Sequence, residues 1–221
     1  MGILIMKRIY LVLSLIAPLV VQAAPSSEIA WTPALLKSVK NADASKGKAL
    51  ASAKTCNTCH GDAGISNLPD TPSLAGQMAT YLYKQLRDYA KGSRKHNFMS
   101  SVATELSEPE TADLAAWYSS LPLPAATAKS QNLAQAEQMV EQGDGKRILP
   151  PCEVCHGSEG QGEKMDLPAL KGQRADYLVK TLLEFKTGQR HNDIYSRMRL
   201  IAEQLSEQEI KNLATFYQNF E

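Results

Sequence analysis

Cys56-Asn57-Thr58-Cys59-His60 and Cys152-Glu153-Val154-Cys155-His156 decide how the chain is to be read. Both spell C-x-x-C-H, the signature of covalent c-type haem attachment, and together they use all four cysteines of the protein. Two thiols three residues apart on one helical turn can bond the two vinyl groups of a haem, and the adjoining imidazole can reach the iron. Cys56, Cys59, Cys152 and Cys155 are therefore the candidate attachment points, and His60 and His156 the candidate proximal ligands. Two C-x-x-C pairs could instead build a zinc site or carry thioredoxin-like redox chemistry. Zinc ribbons separate their pairs by about 15–20 residues, whereas Cys59 and Cys152 lie much farther apart and each pair runs straight into a His.

Working outward, a shift of 96 positions, the distance from His60 to His156, aligns much more than the two motifs. Gly61 falls on Gly157, Pro72 on Pro168, Leu74 on Leu170, Gly76-Gln77 on Gly172-Gln173, Tyr81-Leu82 on Tyr177-Leu178, and Arg94 on Arg190. The second copy then carries three extra residues, after which Met99 falls on Met198, Leu106-Ser107 on Leu205-Ser206 and Tyr118 on Tyr217. The chain reads as a tandem duplication.

Each copy reads as helices. Ser45 to Lys54 and Gln131 to Gln142 suit an opening helix, and Ala79 to Lys91 sets Leu82, Leu86 and Tyr89 on one face. Ser107-Glu108-Pro109-Glu110 and Ser206-Glu207-Gln208-Glu209 are S-x-x-E capping boxes, each opening an apolar stripe. No period-two run of strand length is present. The expected class is all-α, two small domains each wrapped around its haem, with residues 44–121 as the first and 131–221 as the second. Between them, 122–130 includes Pro122 and Pro124 and reads as a connector. Domains of roughly 100 residues bury a modest share of their surface, so the haem-free chain is expected to fold poorly.

Lys7 and Arg8, the apolar run Ile9 to Val21 and the small-residue pattern Val21-Gln22-Ala23 read as a signal peptide, residues 1–23, cleaved after Ala23. The run is short for a spanning helix and Pro18 interrupts it, so the mature chain is expected outside the cytoplasm with any membrane contact peripheral. Residues 24–43 form an extension without a partner in the repeat. Trp31 within it is expected to pack on a neighbour.

At 221 residues with a formal charge of +1, the chain shows no bias toward nucleic acid. From Pro25 to Pro122 there are 10 Lys+Arg and 9 Asp+Glu, and from Leu123 to Glu221 there are 12 and 14. Neither half has a strongly charged docking face.

Electron transfer calls for a second axial ligand from the protein, whereas an open position invites catalysis or small-molecule binding. Met78, His96 and Met99 are candidates in the first copy, and Met165, His191 and Met198 in the second. Met78 aligns with Arg174 and Met165 with Pro69, while Met99 and Met198 recur as M-x-x-[VI]-A-x-x-L-S. His96 and His191 flank the length change and leave bis-histidine coordination as the competing arrangement. Pro72 and Pro168 could accept the proximal imidazole N–H. Arg94 and Arg190 could meet haem propionates or stand solvated at the surface.

On these residues the chain resembles the dihaem cytochromes c4, periplasmic electron carriers built of two class I cytochrome c domains. The resemblance runs from about Ala44 to Glu221. It rests on Cys56 to His60, Pro72 to Gln77 with Tyr81-Leu82, Met99 before Leu106-Ser107, and the same elements in the second half. It implies two covalently bound haem c groups, with axial His60 and Met99 in one domain and His156 and Met198 in the other. It also implies redox protein partners, a quinol-oxidising complex or dehydrogenase as donor and a terminal oxidase or reductase as acceptor. A second reading keeps the haems but makes the chain the electron-transfer subunit of a flavocytochrome sulfide dehydrogenase or similar complex. A dihaem peroxidase fits less well, because two methionine ligands close both irons.

Overall fold

A computed structural model describes residues 27, 29–126, 133–163 and 165–220. The expected signal peptide, the connector from 127 to 130 and the first two residues of the expected second domain lie outside the described residues. Among the described residues helices dominate, and the only β-type pairings are isolated bridges, Asp144 to Leu149 and Glu163 to Leu167.

In the first lobe, helix α1 (Pro33–Lys40) starts where Thr32 Oγ1 accepts the Leu35 N–H and Pro33 supplies a preset first turn. It lies in the expected extension and is part of the core: Val39 is buried, and Trp31 sits against Tyr83 with ring centroids 6.0 Å apart. Helix α2 (Ala44–Ala53) is capped by Asp43 and leads into α3 (Asn57–His60), the turn that holds the first C-x-x-C-H. Helix α4 (Ala79–Lys91) matches the expected span and ends on Gly92, whose φ of 82° is the left-handed conformation that lacks a Cβ penalty. A short α5 (Met99–Thr104) begins at the recurrent methionine, and α6 (Glu108–Ser119) opens on the complete Ser107–Glu110 capping box.

The second lobe repeats this order. Helix α7 (Ala134–Gln142), the motif turn α8 (Glu153–His156) and α9 (Ala175–Lys186) are followed by a 3₁₀ turn over Ile194–Ser196. Then come α10 (Arg197–Gln204), which carries Met198, and α11 (Glu207–Gln218), opened by the Ser206–Glu209 capping box. The three extra residues of the second copy are accommodated in this approach to α10, where Tyr195 and Ser196 both have positive φ.

Two separate apolar cores result, and their members correspond. Leu82, Leu106, Leu114 and Tyr118 pack in one, and Leu178, Leu205, Leu213 and Tyr217 in the other. Helix α2 lies close against α6, where a Cβ at Gly47 would stand 1.9 Å from the Asp113 carbonyl oxygen. Glycine is required there by close approach.

Where the lobes meet, α4 buries a second face that no apolar stripe announces. Lys84 and Asp88 are 1% and 0% exposed. Lys84 Nζ donates to Asp88 Oδ2 and to the Asn192 carbonyl of the other lobe, both at 2.6 Å. Asp88 also accepts from Asn192 Nδ2 and Ser27 Oγ, each at 2.7 Å. Burial pulls the Lys84 ammonium below its ordinary pKa despite the adjacent carboxylate, so desolvation outweighs attraction at this pair. The equivalent Lys180 is 37% exposed and faces Asp70 at 3.4 Å.

Candidate functional site

The two C-x-x-C-H turns line one continuous cavity of about 750 Å³ that runs from Cys56 in the first lobe to Cys152 in the second. Short helical turns put both cysteines and the histidine of each motif on its wall, as their spacing requires. Apolar side chains from the later helices of each lobe form the rest, including Leu82, Val102, Leu106, Leu178, Ile201 and Leu205.

Each histidine is fixed by a backbone acceptor. His60 Nδ1 lies 2.9 Å from the Pro72 carbonyl oxygen and His156 Nδ1 lies 2.8 Å from that of Pro168. A carbonyl can only accept, so Nδ1 carries the proton and Nε2 is left as the donor atom for a metal. Burial pushes both imidazoles below their ordinary pKa, against the opposing pull of the proline carbonyls, and so keeps them neutral and able to ligate. The expectation that Pro72 and Pro168 hold the imidazoles is met in the geometry of both lobes.

The cysteines are not joined by disulfides. Burial raises the Cys56 thiol and pushes Cys152 up to about 11, the opposite of the lowered pKa that thioredoxin-like chemistry uses. Among the described residues no three His, Cys, Asp or Glu side chains converge as a zinc site would need.

Of the candidates for a sixth ligand, Met99 and Met198 line the cavity, and Met78 and Met165 do not. His96 reaches the cavity rim but is exposed, and its Nδ1 accepts the N–H groups of Phe98 and Met99 at 3.3 and 3.2 Å, as a turn-forming side chain does. His191 is not on the cavity wall.

The arginines differ from the solvated alternative: Arg94 and Arg190 are buried at the lobe boundary. Arg94 Nη2 donates to Tyr177 Oη and Arg190 Nη2 to Tyr81 Oη, each at 3.0 Å, a reciprocal pair across the two lobes. Each guanidinium also stands over a ring of its own lobe, Arg94 over Tyr89 at 4.7 Å and Arg190 over Phe185 at 4.5 Å. Their hydrogen-bond partners are neutral groups: Gln85, Asn192 and the two tyrosines. Burial opposes ionisation of Tyr177, yet the two guanidiniums pull it down to about 8. Arg190 Nη1 and Tyr217 Oη, both on residues of the cavity wall, are buried and find no hydrogen-bond partner among the described residues. A long apolar cavity with thiols, neutral imidazoles and thioethers on its walls, and unneutralised guanidinium charge at its middle, fits haem, whose propionates Arg94 and Arg190 would be able to hold.

Repeat alignment singled out Gln77 and Gln173 without a role for them. Both are 6% exposed and cross the lobe boundary: Gln77 Nε2 and Oε1 bond the Ala169 carbonyl and N–H, and Gln173 bonds those of Ser73. Lys84, Asp88 and Asn192 were not signalled in the sequence at all.

Comparison with known proteins agrees with this geometry. The cytochrome c family profile matches the chain twice, over residues 44–122 and 143–220. Cytochrome c4 of Pseudomonas aeruginosa is 36% identical over 178 residues, spanning 80% of this chain and 88% of that one. A thiosulfate dehydrogenase electron acceptor of Stutzerimonas stutzeri is 34% identical over 178 residues, spanning 79% of this chain and 82% of that one. The crystal structure of reduced recombinant cytochrome c4 from Pseudomonas stutzeri superposes with a TM-score of 0.75 at 33% identity, covering 81% of this chain and all of that one. With two cytochrome c domains in tandem and relatives alike over most of its length, the chain belongs to the dihaem cytochrome c4 family, electron carriers with two covalently bound haem c groups.

Proposed function

We propose that the protein is an exported electron carrier of the periplasm, passing electrons from a quinol-oxidising complex or dehydrogenase toward a terminal oxidase or reductase. Residues 1–23 are the signal peptide in this reading, 24–43 the extension, 44–121 and 131–221 the two haem domains, and 122–130 the connector. Cys56 and Cys59 hold one haem and Cys152 and Cys155 the other. His60 with Met99, and His156 with Met198, are the axial ligands.

The observation that carries this reading is the single cavity bearing both C-x-x-C-H turns, each with its imidazole locked by a proline carbonyl. Bound haem supplies one-electron Fe(III)/Fe(II) chemistry. The chain's part is to hold the imidazoles neutral and oriented, to place the thioethers of Met99 and Met198 on the cavity wall, and to exclude water with Leu82, Leu178 and their neighbours. Among the described residues no helix is long and apolar enough to cross a membrane.

Intact mass measurement on protein exported by a maturation-competent host tests the attachment, with two haems per chain expected and fewer refuting it. Met99→Ala and Met198→Ala should each remove part of the weak far-red iron–sulfur band, and survival of the full band in either variant would remove that ligand. A second reading is favoured by the relative described as a thiosulfate dehydrogenase electron acceptor: the chain would then serve one sulfur-oxidising dehydrogenase. Reduction by such a dehydrogenase in stable association with the protein would support it. Rapid oxidation by a terminal oxidase without such an association supports the general carrier.

A further inference from the structure

Pro72 and Ser73 share one peptide group, and so do Pro168 and Ala169. The carbonyl that accepts the His60 N–H is therefore conjugated with the Ser73 N–H, and that of His156 with the Ala169 N–H. Those two N–H groups leave their own lobe. Ser73 N–H donates to Gln173 Oε1 at 2.8 Å, and Ala169 N–H donates to Gln77 Oε1 at 2.8 Å. Each glutamine then returns a bond through Nε2, to the Ser73 carbonyl at 2.9 Å and to the Ala169 carbonyl at 3.0 Å.

The amides cannot swing away freely. Gln77 Oε1 also accepts the Met78 N–H at 3.0 Å, and Gln173 Oε1 the Arg174 N–H at 3.1 Å. The backbone on which they stand is anchored to its own core, Gly76 N–H donating to the Tyr118 carbonyl at 2.9 Å and Gly172 N–H to that of Tyr217 at 2.8 Å. Two three-group chains result, imidazole to peptide to glutamine, and each crosses from one lobe to the other.

Hydrogen bonds in such a chain polarise one another. Drawing the Ala169 N–H toward Gln77 places more negative charge on the Pro168 oxygen, which then holds the His156 N–H more strongly. A ligating imidazole held in this way is the more basic donor and favours the higher charge on the metal.

We infer that Gln77 and Gln173 are positioning residues for the iron ligand of the opposite lobe, Gln77 acting on His156 and Gln173 on His60. The inference rests on the reading of those histidines as the proximal ligands. Its consequence is that each redox centre depends on the docked state of the two lobes, because the last group of its hydrogen-bond chain belongs to the other one.

The experiment uses the full-length exported protein with both haems, as wild type, Gln77→Leu and Gln173→Leu. Two quantities are read: the two midpoint potentials, assigned to their haems by NMR, and the Nδ1 proton shifts of His60 and His156 in the fully reduced, diamagnetic state. Gln77→Leu should raise the midpoint of the haem ligated by His156 and move the His156 Nδ1 proton upfield, with the His60 signals unmoved. Gln173→Leu should do the mirror image. A variant that moves the haem of its own lobe, both haems equally, or neither overturns the inference. Gln77→Glu keeps an acceptor oxygen opposite the Ala169 N–H and guards against a merely loosened interface. It should return the His156 Nδ1 proton toward its wild-type position, and a shift equal to that of Gln77→Leu overturns the inference as well. Failure of the ligand reading itself would be seen separately, as wild-type protein in which these histidines do not carry the signatures of iron ligands.

Discussion

Replacing Asp88 with Ala should destabilise the protein more than any change to a surface charge. Its carboxylate is fully buried and receives Lys84 Nζ, Asn192 Nδ2 and Ser27 Oγ within 2.7 Å. Removing one partner of a buried ion pair leaves the other charge uncompensated and costs about 3–5 kcal/mol. For a chain of this size each kcal/mol corresponds to about 2–4 °C in melting temperature, so Asp88→Ala should melt roughly 6–20 °C below wild type. The lowered pKa of Lys84 shows desolvation prevailing over attraction at the pair, so removing both charges should be far milder. Lys84→Met with Asp88→Asn keeps the volume, and the new amide can still accept from Asn192 Nδ2 and pair with Ser27 Oγ, which leaves the Asn192 carbonyl as the buried group short of its donor, a loss of about 1–3 kcal/mol. Thermal melts of the dihaem protein, followed by far-ultraviolet circular dichroism and Soret absorbance, measure all three. An Asp88→Ala melt within about 2 °C of wild type, or a double variant less stable than Asp88→Ala, would refute the reasoning.

Three further outcomes are expected. Arg147 holds the Glu209 carboxyl down to about 2 from its ordinary 4.5, through hydrogen bonds at 3.1 and 2.8 Å. The folded-state value is depressed, so this stabilisation is present above pH 4.5 and is lost as pH falls toward 2. With allowance for the part-exposed Arg147 it amounts to about 1–2 kcal/mol, and acid titration of Glu209→Gln should show an acid limb flattened by that much. Gly47→Ala would put a methyl group 1.9 Å from the Asp113 oxygen and 2.8 Å from Trp117 Cβ, so α2 must lift from α6 at about 1–3 kcal/mol, read as a lower denaturation midpoint. Changing all four cysteines to Ser should abolish cooperative unfolding. Without the haems the apolar wall of a cavity of about 750 Å³ stands open to water, a loss of burial that domains of roughly 100 residues, with a stability of about 5–15 kcal/mol, have little margin to absorb. A native, cooperative melt of that variant would contradict this.

Features set by neighbours in sequence were legible. The span of α4 follows from the spacing of Leu82, Leu86 and Tyr89, and α6 and α11 from Ser107–Glu110 and Ser206–Glu209, because periodicity and caps act within a turn or two. The motif turns were legible for the same reason. Helix α1 was not: it has no partner in the repeat, and its contribution comes from Val39 and Trp31 meeting side chains far along the chain.

A repeat shows which positions are equivalent, and from that the equal roles of Leu82 and Leu178, or of Tyr118 and Tyr217, could be read. It does not show which of two equivalents the docking of the lobes will bury. Lys84 and Asp88, four apart on a helix, have the spacing of an exposed pair, and the corresponding Lys180 does remain partly in solvent. What buries the first pair is Asn192 from the other lobe, a residue beside the length change where the copies stop matching. The reciprocal bonds of Gln77 and Gln173 keep the symmetry of the duplication, whereas the Lys84–Asp88–Asn192 cluster breaks it. The two halves of the cavity therefore differ at the lobe boundary, where Lys84 and Asn192, distant in sequence, both line the wall, and match at the C-x-x-C-H turns that announce them.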